Sequence, residues 1–451
     1  MMDDATWAAS EDLIGLGLAA VIYLGVLIAV ASWRLTAPLV VVASILQIHF
    51  GFDLYVVVAS FNILPLDVLA VVLSVATLLR LMMRGRPDLI TGCFLALAAT
   101  MLFGLLRGAA SYGVATAVVS FRPNLYFIVT VLYMMSFTWT PQNLDRFTTP
   151  WFAAGVGLAL YAVACWIDPS VAVWSWMLTD PTGRLAFLDW RVLPASSTLL
   201  IAEAALFGAA LWIRPGAAPG RQLLAIPLMF TVILLYHRSV WVTVAVALAT
   251  LLALRPSALN RLALPVSLAV LPLLFIGAMD GELLTAAVTS AVSEPFEETS
   301  TWAWRTDGWQ VMVPQMLSSG PITLLLGSGY GYGFVSSSGT LLANPHNAYV
   351  EVFVNAGLLG VGLLIAGYGL SLWRLWTGIV EEGRHFDRVS AILLLVALIV
   401  YSVPYSPSGE QGLLVGVIAG LAAQCTHARR APAGRFGSAA GAMAAPTWKR
   451  P

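Results

Sequence analysis

The feature that most constrains this chain is a series of continuous apolar runs, each roughly the twenty residues that a helix needs to cross a bilayer. They fall at roughly 13 to 31, 38 to 58, 66 to 83, 89 to 106, 123 to 139, 150 to 167, 192 to 213, 222 to 236, 239 to 254, 262 to 279, 347 to 373, 389 to 404 and 411 to 425, bounded by charge, Pro or Gly. Hydrocarbon offers backbone N–H and C=O groups no partner, so such segments must pair those groups internally, as helices or as a closed barrel. Barrel strands would alternate apolar and polar residues over about ten positions. These runs do not alternate. The expected fold class is all-α: a polytopic integral membrane protein with about twelve transmembrane helices, eleven to thirteen, and one long extracytoplasmic loop. His49 and Asp53 interrupt the second run, which can therefore be a re-entrant or broken segment instead of a crossing. Leaving it out gives about twelve spans, with both chain ends cytoplasmic.

Composition agrees. Of 451 residues 59% are hydrophobic and 10% charged, and a mean hydropathy of +0.85 is more apolar than a soluble fold could bury. Net charge is zero and the basic residues are scattered, which argues against nucleic acid as a partner. Cys93, Cys165 and Cys425 lie in or beside separate apolar runs, without metal or disulfide spacing, and read as packing residues. The acidic lead-in Asp3, Asp4, Glu11 and Asp12 has no basic n-region or cleavage site after it, so the first run reads as a retained span. Residues 1–425 are expected to form a single membrane domain that includes the loop 280–346. Residues 426–451, rich in Ala, Gly, Arg and Pro, are expected to form a disordered cytoplasmic tail.

Orientation follows from the arginines. Arg80, Arg84 and Arg86, Arg214 and Arg221, Arg255 and Arg261, Arg374, Arg384 and Arg388, and the basic tail fall on one side when the spans alternate, and that side is the cytoplasmic one. The opposite face then receives 107–122, 168–191, the turn at His237 and Arg238, the loop 280–346, and 405–410.

Candidate chemistry gathers on that outer face. His346 and Asn347 immediately precede an apolar helix, expected to be unbroken, so an ionisable imidazole sits where the bundle meets water. The loop 280–346 is several times longer than an ordinary connection. It carries Trp302, Trp304, Trp309, Tyr330, Tyr332 and Phe334, and a helix expected over 301–317 puts Arg305 and Trp309 on one face. Its aromatic residues suit either an interfacial anchor or a cover over a lipid-linked substrate. The stretch Gly327-Ser328-Gly329-Tyr330-Gly331-Tyr332-Gly333 would let backbone approach a ligand, yet lacks the Lys and Ser/Thr of a nucleotide P-loop. Arg238, in a tight break between two runs, either snorkels to the interface or offers its fork of donors to a phosphate. Arg122 and Arg191 would add positive field, or serve as topological charges.

Three elements, in order, resemble the O-antigen ligase and polysaccharide polymerase superfamily of bacterial envelope glycosyltransferases. These are Arg238-Ser239 in a short outer turn, then Trp304-Arg305... Trp309... Pro321... Gly327-Ser328-Gly329 in the long loop, and then His346-Asn347, nine residues, Gly357, two residues, Gly360. The motifs cover roughly 200 to 375, and hydropathy extends the likeness to the whole chain. The resemblance implies a multi-pass enzyme of the bacterial inner membrane with its site facing the periplasm. Its donor would be a glycan on undecaprenyl diphosphate, and its acceptor a glycan or a lipid-linked acceptor. Membrane lipid and envelope polysaccharide assembly proteins complete the implied partners, and no cofactor is implied. His346 would act as the catalytic base, with Arg238 and Arg305 on the diphosphate and no metal. Asn347, Tyr349, Trp309, Arg122 and Arg191 would support, and Glu351, over a helical turn beyond His346, would have a minor orienting role. The chain holds no Asp-x-Asp run for a divalent ion. Nothing points to a core-oligosaccharide acceptor, so surface or exopolysaccharide polymerisation is the first reading and ligation to lipid A-core the second. A transporter of lipid-linked glycan or small solutes is the alternative from another class. The absence of a clear internal repeat and the gathering of charges at one face weigh against it.

Overall fold

The computed structural model describes residues 20–50, 55–58, 61–84, 87–171, 192–212, 219–235, 237–256, 301–332, 334–335, 341–342, 345–382, 386–406 and 408–424. They form fourteen helices and two short hairpins. In chain order the helices are α1 (Ala20–Ala31), α2 (Trp33–Phe50), α3 (Pro65–Arg84), α4 (Leu89–Tyr112), α5 (Val114–Met135), α6 (Pro141–Ile167), α7 (Ala195–Trp212), α8 (Pro219–Leu234), α9 (Arg238–Leu254), α10 (Thr301–Ser318), α11 (Pro321–Leu326), α12 (Ala348–Glu382), α13 (Phe386–Tyr401) and α14 (Gly409–Gln424). Among the described residues six helices, α3 to α7 and α12, are long and apolar enough to cross a membrane, and α1, α2, α8 and α9 are shorter apolar helices. Leu78, Met82, Leu106, Leu160, Ile167 and Trp373 are each more than 60% exposed on these helices. Side chains of that kind belong against lipid. The chain is an all-α polytopic membrane protein.

Each helix has two distinguishable ends. At one end Arg80 of α3 donates to Ser136 Oγ and to Val30 O and stacks 3.6 Å over Phe137. Nearby, Gln424 of α14 bonds both Trp139 N and Phe137 O, and Trp139 packs on Trp33 at the start of α2. Arg221 reaches Thr148 and Thr149 of α6, and Arg374 of α12 pairs with Asp88, the N-cap of α4, at 3.4 Å. Asp67, Arg122 and Glu410 lie at the opposite ends of α3, α5 and α14 from these contacts. Guanidinium groups satisfy exposed helix-end carbonyls well, which is one reason the arginines collect at one end.

The chain departs from expectation in three places. The second apolar run divides: α2 continues to Phe50, and Val56–Val58 pairs antiparallel with Phe61–Ile63. Residues 107–122 are a helical corner at Gly113 (φ +90) and not a connecting loop. Arg107 and Arg122 lower the hydropathy there, yet both are spent inside the structure, on Gly327 O and on Asp67. The third departure is α12, which is broken at Gly357 (φ 69, ψ −168). The run 262–279, Asp53, residues 280–300 and the tail 426–451 lie outside the described residues.

The break in α12 explains the glycine pattern of the long loop. Residues 327–331 thread between α4 and the broken α12, with Ser328 N donating to Val354 O at 2.7 Å and Tyr330 N to Gly104 O at 3.2 Å. A Cβ on Gly357 would strike the Leu325 carbonyl, one on Gly327 the Asn355 carbonyl, and one on Gly108 the Tyr330 carbonyl. The glycines permit backbone-to-backbone packing, and buried Tyr330 fills the gap edge-on to Phe121 at 4.8 Å. Below them, Met312 and Met316 of α10 pack on Phe353 and Val354.

Candidate active site

His346 is the one non-glycine residue with positive φ (+48) among the described residues. A left-handed conformation at a residue with a Cβ persists only where its surroundings hold it. Here both flanks are fixed. Trp309 Nε1 donates to Pro345 O at 2.7 Å on one side, and on the other Ala348 N donates to Ser402 O at 3.0 Å. Asn347 is buried and caps α12, its Oδ1 accepting from Tyr349 N at 2.9 Å and Val350 N at 3.0 Å. Tyr349 donates its hydroxyl to Ile399 O at 2.9 Å, tying α12 to α13. The sequence-predicted supports Asn347, Tyr349 and Trp309 thus all fasten the peptide that carries His346.

Glu351 does more than its place in sequence suggested. It is buried, with Oε1 accepting from Asn124 Nδ2 of α5 at 2.5 Å and Oε2 accepting from the Ser406 hydroxyl. One carboxylate therefore joins α5, α12 and the turn after α13. Its signal in sequence was only its spacing from His346, since Asn124 and Ser406 are far away in the chain.

Arg305 lies beside His346. The histidine's pKa is lowered from its ordinary value, chiefly because burial disfavours the imidazolium and secondly because the Arg305 charge repels it. The Arg305 guanidinium stacks 4.6 Å over Tyr405, which is itself stacked on Tyr401 at 4.9 Å. Its Nε is buried and has no hydrogen-bond partner among the described residues. Tyr405 was missed in the sequence, where a lone Tyr in a short outer turn carries no signal.

Arg238 opens α9, half-buried. Its neighbour His237 is buried and bonds Leu193 O at 2.7 Å, which sets this corner against residues 193–196 at the start of α7. Arg122 is paired with Asp67 at 3.1 Å, and that carboxylate also accepts from Tyr126 Oη at 2.6 Å. Arg122 thus holds α5 to α3. Arg191 lies outside the described residues, as does the side chain of Trp304.

A cavity of about 370 Å³ opens between these parts. Its wall includes His346, Tyr401, Tyr405, Ser406, Ser408 and Glu410, together with Ser44, Gln47, Tyr126 and residues 194–196. Hydroxyls, a carboxylate, an imidazole and aromatic rings line a pocket at the end of the bundle away from the Arg80 clamp.

Residues 223–365 match the family model described as O-antigen ligase. That match makes this segment, about a third of the chain, similar to the O-antigen ligase family. The matched segment contains Arg238, Arg305, His346 and the Gly357 break. No curated protein matches the chain. The helices indicate a multi-pass membrane protein, and the matched segment is similar to O-antigen ligases.

Proposed function

We propose that this protein transfers a glycan from undecaprenyl diphosphate to a sugar hydroxyl at the periplasmic face of the bacterial inner membrane, in surface or exopolysaccharide synthesis. The observation that carries the reading is the pairing of His346 with Arg305: an imidazole whose proton affinity is reduced, beside a buried guanidinium N–H without an acceptor among the described residues. A neutral imidazole can take the proton of the attacking hydroxyl. The hydroxyl oxygen then bonds to the anomeric carbon as the bond from that carbon to the phosphate oxygen breaks, and the electron pair leaves with the lipid diphosphate. Arg305, with Arg238, meets the charge that develops there. One direct displacement inverts the anomeric centre, and two guanidinium groups can supply the electrostatic work without a divalent ion. The periplasmic assignment rests on the gathering of Arg80, Arg221, Arg374 and Arg388 away from the cavity. We read residues 1–425 as one membrane domain.

The test is transfer by the full chain in liposomes with a lipid-diphosphate-linked repeat unit. A ladder of lengthening lipid-linked products, unchanged in excess chelator and lost in a folded His346→Ala protein, is the expected result. Arg305→Lys is expected to lose nearly as much as Arg305→Ala, because an ammonium cannot reproduce the planar fork. Transfer by folded His346→Ala would remove the base assignment, and loss in chelator restored by Mg²⁺ would remove the metal-free step. A single transfer that requires lipid A-core would make the enzyme a ligase.

A further inference from the structure

On the wall of the cavity beside His346, three buried polar atoms, Ser44 Oγ, Gln47 Oε1 and Glu410 Oε2, have no hydrogen-bond partner of good geometry among the described residues. Glu410, only 2% exposed, opens α14; its Oε1 accepts from the Ser408 hydroxyl and the Ser44 hydroxyl lies close to its carboxylate, while its buried Oε2 makes no hydrogen bond of good geometry among the described residues. Also on the cavity wall, Gln47 of α2 presents a buried Oε1 that likewise has no partner among the described residues. Buried oxygen acceptors are costly when left alone, so natural proteins keep them where a ligand or water completes them. The Glu410 and Gln47 oxygens are acceptors, and the group that satisfies an acceptor is a donor. Sugar hydroxyls supply such donors in a ring, and the serines and the Tyr401–Tyr405 pair around them suit a neutral, polyhydroxylated ligand with apolar C–H faces.

We propose that this cavity is the acceptor-sugar subsite, and that Glu410 is a positioning residue that accepts a hydrogen bond from an acceptor hydroxyl and so orients the ring toward His346. The inference rests on the glycosyltransferase reading and adds to it which wall of the site receives the acceptor. The diphosphate end of the donor falls to Arg305, and the acceptor sugar to the opposite side, lined by α2, α7 and α14. Because α14 lies outside the matched segment 223–365, acceptor preference is set by a part of the chain distinct from the part that carries the His motif.

The experiment uses the full chain in nanodiscs and a fluorescently labelled oligosaccharide of one surface-polysaccharide repeat with a free non-reducing end. Its equilibrium binding is compared in wild type, Glu410→Gln and Ser196→Phe, the last filling the cavity from the α7 wall without touching Glu410. Undecaprenyl diphosphate binding is measured in parallel. Oligosaccharide binding is expected to weaken about tenfold or more in both variants, the acceptor KM to rise by a similar factor, and kcat at saturating acceptor to change less. Undecaprenyl diphosphate binding should stay as in wild type. Absent binding by wild type, or equal binding in wild type and a folded variant of either kind, overturns the subsite. Wild type that binds the oligosaccharide but transfers nothing from any donor leaves the subsite standing and removes the transferase reading beneath it.

Discussion

His346 sits on a backbone that costs about 1–2 kcal/mol to hold in the left-handed region, and the Trp309, Asn347 and Ala348 hydrogen bonds supply what holds it. This makes two predictions. Burial and Arg305 both lower the histidine's pKa, so the ring stays neutral to a lower pH than a free imidazole would. The acidic limb of the transfer rate should therefore lie below about 6.5. The residual activity of Arg305→Gln should show that limb displaced upward, because removing the positive neighbour lets the ring hold its proton more readily. A limb that stays in place would mean that another group controls it. The same shift bears on stability with a definite sign: as pH falls through the unfolded value the unfolded chain takes up a proton that the folded chain resists, so the native state loses ground. Trp309→Phe, which keeps the ring but deletes the donor to Pro345 O, should reduce transfer more than it lowers the unfolding temperature. An equal loss of both would make Trp309 a packing residue. The candidate residues His346, Arg305 and Trp309 were legible in sequence because a charged or polar side chain at the edge of an apolar run stands out. Glu351 was given only a minor orienting role, and Tyr405 and Glu410 were not seen, since each draws its meaning from partners far away in the chain or from a turn that sequence cannot orient.

At the scale of elements, the decisive unit is α12 with the glycine segment laid across its break. Hydropathy located most of the helices to within a few residues, and the expected helix 301–317 is observed as α10 over Thr301–Ser318. Hydropathy could not show the break, because Gly357 lies inside an apolar run and its role depends on the Leu325 carbonyl seated against it. Nor could it show the corner at Gly113, where charged Arg107 and Arg122 simulate a loop. Gly357→Ala meets both a backbone conformation that disfavours a Cβ, at roughly 1–3 kcal/mol, and a backbone atom that cannot move aside. Transfer should fall sharply and the unfolding temperature in detergent should drop, whereas Gly362→Ala, whose Cβ meets open space, should leave both nearly unchanged. Wild-type behaviour of Gly357→Ala would show that the segment 348–356 does not depend on the break for its direction.

For the whole molecule, the separation of the two bundle ends gives a labelling experiment. With Cys93, Cys165 and Cys425 replaced, Ser111→Cys at the cavity end should react with a membrane-impermeant maleimide on intact spheroplasts. Met83→Cys, exposed near the Arg80 end, should react only after permeabilisation. The reverse pattern would turn the protein over and place the cavity in the cytoplasm. Fold class was legible because lipid imposes a uniform demand on every span. The cavity was not, because its wall is drawn from α2, α3, α5, α7, α13, α14, His346 just ahead of α12 and the turn after α13. That dispersal has a consequence for biogenesis. The last pieces of the wall, Ser408 to Glu410, leave the ribosome after nearly all the others, and Glu351 waits for Ser406 before its carboxylate is satisfied. A chain still being threaded into the bilayer therefore lacks part of this pocket until α14 is in place.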